Sequence, residues 1–195
     1  MKQERAVVTR GRLTRAAAGE FARHGYAGTS LQVVCKEAKV SMGALTFHFR
    51  AKSELAEAVA EEAVAETGAV VAEAKGCGGD PLAAMSGLAC DLAGLLARSP
   101  AVRAIVRLEE ERIIAAGGWQ AAWEPAVRAM LECARRRNDL TAEIEVETVV
   151  QLAAHLLNGT AVTLHARPET DEVAALAHIW AAVMQGIRAS ATAAR

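Results

Sequence analysis

Between Thr29 and Lys52 the sequence sets hydroxyl and ammonium side chains at three successive helix starts. Thr29 or Ser30 caps a short segment carrying Leu31, Val34 and Ala38. Ser41 caps a second segment, Gly43 to Phe49, and a third begins near Lys52. Helix starts offer backbone N–H groups to phosphate oxygens, and neighbouring hydroxyls and cations reinforce them. Two short helices joined by a tight turn make a helix-turn-helix, whose second helix fits the ~12 Å major groove of duplex DNA. Leu31, Val34, Val40, Leu45 and Phe49 supply the small core that fixes the angle between the two helices. On this reading the residues facing DNA are Thr29, Ser30, Lys39, Ser41, Met42, Gly43, Ala44, Thr46, Phe47, His48 and Lys52.

Charge is distributed to match. The 195 residues carry a net charge of -1. Residues 1–52 nevertheless hold ten Lys/Arg against Glu4, Glu20 and Glu37, a net +7, and the remaining residues balance at -8. A basic lobe on an acidic body suits a polyanion bound by the lobe alone. The run Arg135-Arg136-Arg137 lies in the acidic body and reads as a solvated helix end that complements the dipole. Phe21, Tyr26, Phe47 and Phe49 fall in the first 50 residues, whereas Trp119, Trp123 and Trp180 fall after them. Two regions with different cores are expected: a helix-turn-helix domain over 1–52 and a second domain over 53–195.

The elements that position these residues read as helical nearly throughout. There are 45 alanines, which favour helix. Leu13, Ala17 and Phe21 recur on one face of a helix ending near Gly25. A long Ala/Val/Glu helix runs from Lys52 to about Lys75. The clearest break is Gly76-Cys77-Gly78-Gly79-Asp80-Pro81, after which a helix reaches Arg98. Ser99-Pro100 restarts the pattern to Ala116, and Gly117-Gly118 breaks it. Because Pro125 suits only the first turn, the next regular helix is expected to begin near Trp123 and to run to Arg137. Ile144 to Ala166 and Pro168 to about Ala189 are the last two. No segment reads as a strand. The expected fold is all-α, with about nine helices.

Several kinds of chemistry are disfavoured. Cys35, Cys77, Cys90 and Cys133 form no C-x-x-C pair, so neither a disulfide framework nor a zinc ribbon is expected. His155, His165 and His178 form no metal-ligand motif. No nucleophile–base constellation or Gly-rich phosphate loop is present, so no enzyme, metal or cofactor is expected. No apolar run approaches the ~20 residues of a membrane span, and a soluble cytoplasmic protein is expected.

The string Phe21-Ala22-Arg23-His24-Gly25-Tyr26, then Thr29-Ser30-Leu31, then Ala38 to Phe49, then Lys52-Ser53-Glu54-Leu55 resembles the TetR family of bacterial repressors. The likeness covers most of residues 10–55. It implies a dimer, a C-terminal ligand-binding and dimerisation domain, and release of an operator when ligand binds. Three positions depart from the family pattern. Lys39 stands where glycine is usual in the turn, Met42 where lysine often follows the cap, and Thr46 where tyrosine is common. A positive φ at Lys39 would carry strain.

Gly43-Ala44-Leu45-Thr46-Phe47-His48-Phe49 looks most like the γ-butyrolactone receptors within that family. Trp123, the Asn138-Asp139-Leu140 loop and Gly159-Thr160 follow at matching spacing. That resemblance implies Trp123 over a small apolar effector and Thr160 hydrogen-bonded to it. Trp119, four residues before Trp123, would share its face of a helix. The alternative effector is another small molecule, such as an antibiotic, a furan or a butenolide. Gln151, His155 and Asn158 form a polar stripe that lines either this pocket or a dimer interface. The last two helices are apolar around most of their circumference. A dimer interface is expected through Leu152, Leu156, Leu176, Ile179, Trp180 and Val183.

Overall fold

The computed structural model describes residues 2–74, 78–167 and 171–189. Lys75, Gly76, Cys77 and Pro168, which figure in the expected breaks, lie outside the described residues. Nine helices are present among those described: α1 Lys2–Gly28, α2 Leu31–Ala38, α3 Met42–His48, α4 Lys52–Glu73, α5 Pro81–Arg98, α6 Pro100–Glu110, α7 Gly118–Arg136, α8 Val146–Ala166 and α9 Glu172–Ile187. The chain is all-α, as its periodicity implies. An isolated antiparallel bridge joins Leu140 to Arg188. It is flanked by bonds from the Thr141 N–H to the Ile187 carbonyl and from the Ala189 N–H to the Asp139 carbonyl, both 2.9 Å.

By compactness the chain divides into residues 1–66 with 99–119, and residues 67–98 with 120–195. The charge boundary at residue 52 is therefore not the packing boundary. The first unit takes in α1, α2, α3, most of α4 and the later segment α6. Leu13, Ala17 and Phe21 form the predicted stripe of α1 and are fully buried. This helix packs on α6 and on α2. Val34 and Ala38 of α2, Leu45 of α3, and Leu55 and Val59 of α4 are buried too. A fully buried Leu or Phe contributes about 1.5–3 kcal/mol.

In the second unit α5 packs on α8 and α9. Its core holds Met85, Leu88 and Leu92 of α5, Val150 and Leu157 of α8, and Leu176 and Trp180 of α9. Asp80 caps α5 by accepting from the Leu82 and Ala83 N–H groups at 3.0 Å, and it pairs with Arg188 just beyond α9. Those partners, the Ala83 N–H foremost, hold its carboxyl below the ordinary range.

Two expected boundaries move furthest. α6 stops at Glu110, not Ala116, because Arg112 adopts a left-handed φ of 57° and ends the spiral. α7 begins at Gly118 and runs through Pro125, where a start near Trp123 was expected. Its first turn is anchored within the first unit, where Glu109 Oε1 accepts the Trp119 N–H at 3.0 Å. Both tryptophans are buried, and this burial opposes the ~3 kcal/mol that an interior proline costs.

Candidate nucleic-acid interface

Ser30 caps α2, its side chain accepting the Gln32 N–H at 3.3 Å, and Ser41 caps α3, accepting the Ala44 N–H at 3.2 Å. Between the two helices Lys39 takes the left-handed conformation, φ 55° and ψ 47°. The backbone closes the turn there, with the Lys39 N–H on the Lys36 carbonyl and the Val40 N–H on that of Cys35. The expected positive φ is therefore real, and it falls on a residue with a Cβ.

The helix α3 turns only Leu45 fully inward. Met42, Gly43, Thr46 and Phe47 are exposed, Ala44 and His48 half-buried. Phe47 is 80% exposed and meets the His48 ring edge-on at 5.1 Å. Arg10 of α1 holds the far end of α3. Its guanidinium lies 4.4 Å over the Phe49 ring and donates to the His48 carbonyl at 3.4 Å. Lys36 of α2, Lys39 of the turn and Arg50 just past α3 are exposed.

Two residues expected to face DNA are placed otherwise. Thr29 is buried, and its hydroxyl donates to the Gly25 carbonyl at 2.7 Å. The Lys52 ammonium turns inward to the Tyr26 and Thr29 carbonyls and lies 4.5 Å over the Tyr26 ring. Desolvation pushes its pKa down, against the upward pull of Glu111. Both side chains hold the entry to α2 in place, and neither is free for a phosphate.

A clamp that sequence reading missed grips the same turn. Gly25 breaks α1 with φ 68° and ψ −178°. Glu111 Oε2 accepts the Tyr26 N–H at 2.7 Å, and Arg107 donates to the Ala22 and Arg23 carbonyls at 3.3 and 3.0 Å. Arg107 and Glu111 also pair with each other at 3.0 Å. Their i, i+4 spacing is visible in the sequence, but it reads as an ordinary surface pair. A groove of about 460 Å³ also lies in this unit, lined by Glu57, Glu61 and Val64 of α4, Ile105 and Glu109 of α6, and Ile114 beyond it.

The matched family model is that of bacterial regulatory proteins, tetR family, over residues 13–59. An ArpA-like γ-butyrolactone receptor of known structure is 30% identical, with a TM-score of 0.78, covering 94% of this chain and 90% of its own. The chain belongs to the tetR family. This is a family of regulators, not of enzymes. Another tetR protein, CprB of Streptomyces coelicolor A3(2), is 29% identical with a TM-score of 0.81, over 96% of this chain and 92% of that one. CprB is also similar, at 28% identity and TM-score 0.77, in a structure with its operator sequence, over 94% of this chain and 90% of that one. The A-factor receptor of Streptomyces griseus is 32% identical over 146 residues, 74% of this chain; the match spans 50% of that relative's length.

The residues expected to bind an effector are all buried: Trp119, Trp123 and Thr160. Trp119 belongs to the first unit, Trp123 and Thr160 to the second. Thr160 donates its hydroxyl to the Leu156 carbonyl at 2.9 Å. Gln151, His155 and Asn158 are exposed on α8, in line with Val162 at 56% exposure. Of the expected dimer residues, Ile179 is 45% exposed and Leu152, Leu156 and Val183 are half-buried. Leu176 and Trp180 are corrected to core residues, because both are buried within their own unit, on the helix that packs against α5. Periodicity gives a helix an apolar face but does not say which chain fills it. Among the described residues no helix alone is long and apolar enough to cross a membrane, and no acid, His or Cys cluster is arranged for a metal.

Proposed function

We propose that this tetR protein is a ligand-responsive repressor that binds a palindromic duplex operator as a homodimer in the cytoplasm. The observation that carries the reading is α3. It projects Met42, Thr46 and Phe47 outward, with Lys36, Lys39 and Arg50 also exposed, in the segment that matches the family model. The outward stripe of Gln151, His155, Asn158 and Val162, with Ile179 of α9, supports a dimer through the last two helices. The domain that reads DNA is then 1–52, and 53–195 carries effector and partner.

The effector proposed is a small apolar molecule of the γ-butyrolactone type, held near Trp123 and Thr160 of the second unit. Likeness to the ArpA-like receptor and to the A-factor receptor supports it. The second reading is a sensor of a different small molecule, such as an antibiotic, a furan or a butenolide. The Thr160 hydroxyl donates to the Leu156 carbonyl at 2.9 Å, so it would have to turn from that carbonyl to donate to any effector.

Fluorescence anisotropy on the DNA upstream of the protein's own reading frame, at two salt concentrations and with or without a synthetic γ-butyrolactone, tests both. The first reading expects tight, salt-weakened binding that the lactone releases. Binding indifferent to the lactone would leave the second reading. Binding flat in salt would remove the repressor; none at either salt would mean that the upstream DNA holds no operator or that Lys39, Met42 and Thr46 have cost the lobe its function.

A further inference from the structure

α3 has seven residues, Met42–His48, a rod about 10 Å long. At roughly 100° per residue, Met42, Gly43, Thr46 and Phe47 lie within an arc of about 140° opposite the buried Leu45. Exposure agrees with that wheel, since these four are the exposed residues of the helix. The face carries no Arg, Lys, Asn, Gln, Asp or Glu.

That composition restricts what the face can read. Guanine is read by a bidentate Arg or Lys, adenine by Asn or Gln, and cytosine by a carboxylate accepting its amino group. None of these side chains stands on α3. Thr46 has the hydroxyl of this face, and it donates back to the Gly43 carbonyl at 3.2 Å. What projects is a thioether, a threonine with its proton turned inward, and a ring that is 80% exposed. Edge contact with His48 at 5.1 Å and an interplanar angle of 84° orients that ring. At Gly43 no heavy atom lies within 4 Å of where a Cβ would sit, so the backbone there is open to close approach.

One base edge in the major groove offers an apolar group, the C5-methyl of thymine. We infer that Met42, Thr46 and Phe47 read thymine methyl groups, with Phe47 as the principal specificity-determining residue, while Lys36, Lys39 and Arg50 attract phosphate without regard to sequence. An exposed phenylalanine is costly in water, and burial against a methyl group returns that cost only when the right base is present. The inference rests on the operator-binding reading above.

The test separates the two. Duplexes are first selected by the full chain from a random-sequence library. The best duplex is then prepared with thymine and with deoxyuridine, which differ at C5 by the methyl alone. Affinity should fall roughly fourfold for each contacted methyl removed. Phe47→Ala, at an exposed position that leaves the core intact, should lose the larger part of the difference between the two duplexes while keeping the salt dependence of the parent. Equal binding of both duplexes by the parent chain would hand the readout to residues outside α3, Gln32 of α2 first among them, and would overturn the inference. Failure to retain any duplex at low salt would instead remove the operator-binding reading, and this inference with it.

Discussion

Glu111, just past the end of α6, accepts the backbone N–H of Tyr26 at 2.7 Å, eighty-five residues earlier in the chain. The bond ties the end of α1 to a helix that follows the whole helix-turn-helix and α4. With Arg107 on the Ala22 and Arg23 carbonyls, it satisfies backbone groups that the break at Gly25 releases from the helix. A shift of α6 would therefore be felt at the entry to α2.

Gly25→Ala should be among the more damaging single-methyl changes in the molecule. A Cβ there would lie 2.0 Å from Glu111 Oε1, and the backbone conformation is one that only glycine adopts readily. The strain alone costs of order 1–3 kcal/mol. Thermal unfolding should show the loss. The double variant Gly25→Ala/Glu111→Ala removes the collision together with the bond to the Tyr26 N–H, so it should recover only part of the loss. A melting temperature unchanged by Gly25→Ala would contradict this account of the clamp.

Lys39→Gly should move stability and DNA binding in opposite directions. Relief of the left-handed φ of 55° is worth about 1 kcal/mol. Removal of the cation should lower the slope of log affinity against log salt by about one if Lys39 meets a phosphate. Denaturant unfolding and a salt titration on one duplex measure the two effects independently.

Ile179 and Trp180 are neighbours in sequence with opposite fates. Ile179→Lys changes a side chain that is 45% exposed, so it should weaken self-association and leave the helical signal intact. Trp180→Ala empties a fully buried site and should cost about 3–5 kcal/mol of folding stability. Sedimentation velocity beside circular dichroism distinguishes dissociation from unfolding.

Asp80 should contribute to the acid limb of stability. Its folded pKa lies below the ordinary value, chiefly through the Ala83 N–H, with Arg188 adding to it. The unfolded chain therefore binds the proton more tightly, and stability falls as pH drops below about 4. Asp80→Asn keeps a capping side chain and removes the titration. Its stability should decline less steeply over that window than the parent's.

The helix-turn-helix was legible because its cues are local. Ser30 and Ser41 cap where they were expected to, Leu45 points inward, and Lys39 turns left-handed at the position singled out for it. What was not legible depends on partners far along the chain. Thr29 and Lys52 have the right chemistry for phosphate, yet the Gly25, Tyr26 and Thr29 carbonyls take their donors. Leu176 and Trp180 have the right periodicity for an interface, yet they lie buried on the helix that covers α5. Pro125 reads as a boundary because a local rule forbids it in a helix interior, and burial of the tryptophans overrides the rule.

The first compact unit is assembled from two stretches of chain, residues 1–66 and 99–119, with α5 made between them. During synthesis, therefore, the helix-turn-helix leaves the ribosome well before the helix that covers α1. At 5–20 residues per second, the part of α1 that packs on α6 waits several seconds for α6 to be made. A nascent chain stalled before Ser99 should expose that part of α1 to chaperones. A gene fragment cut at residue 52 would be released in the same uncovered condition.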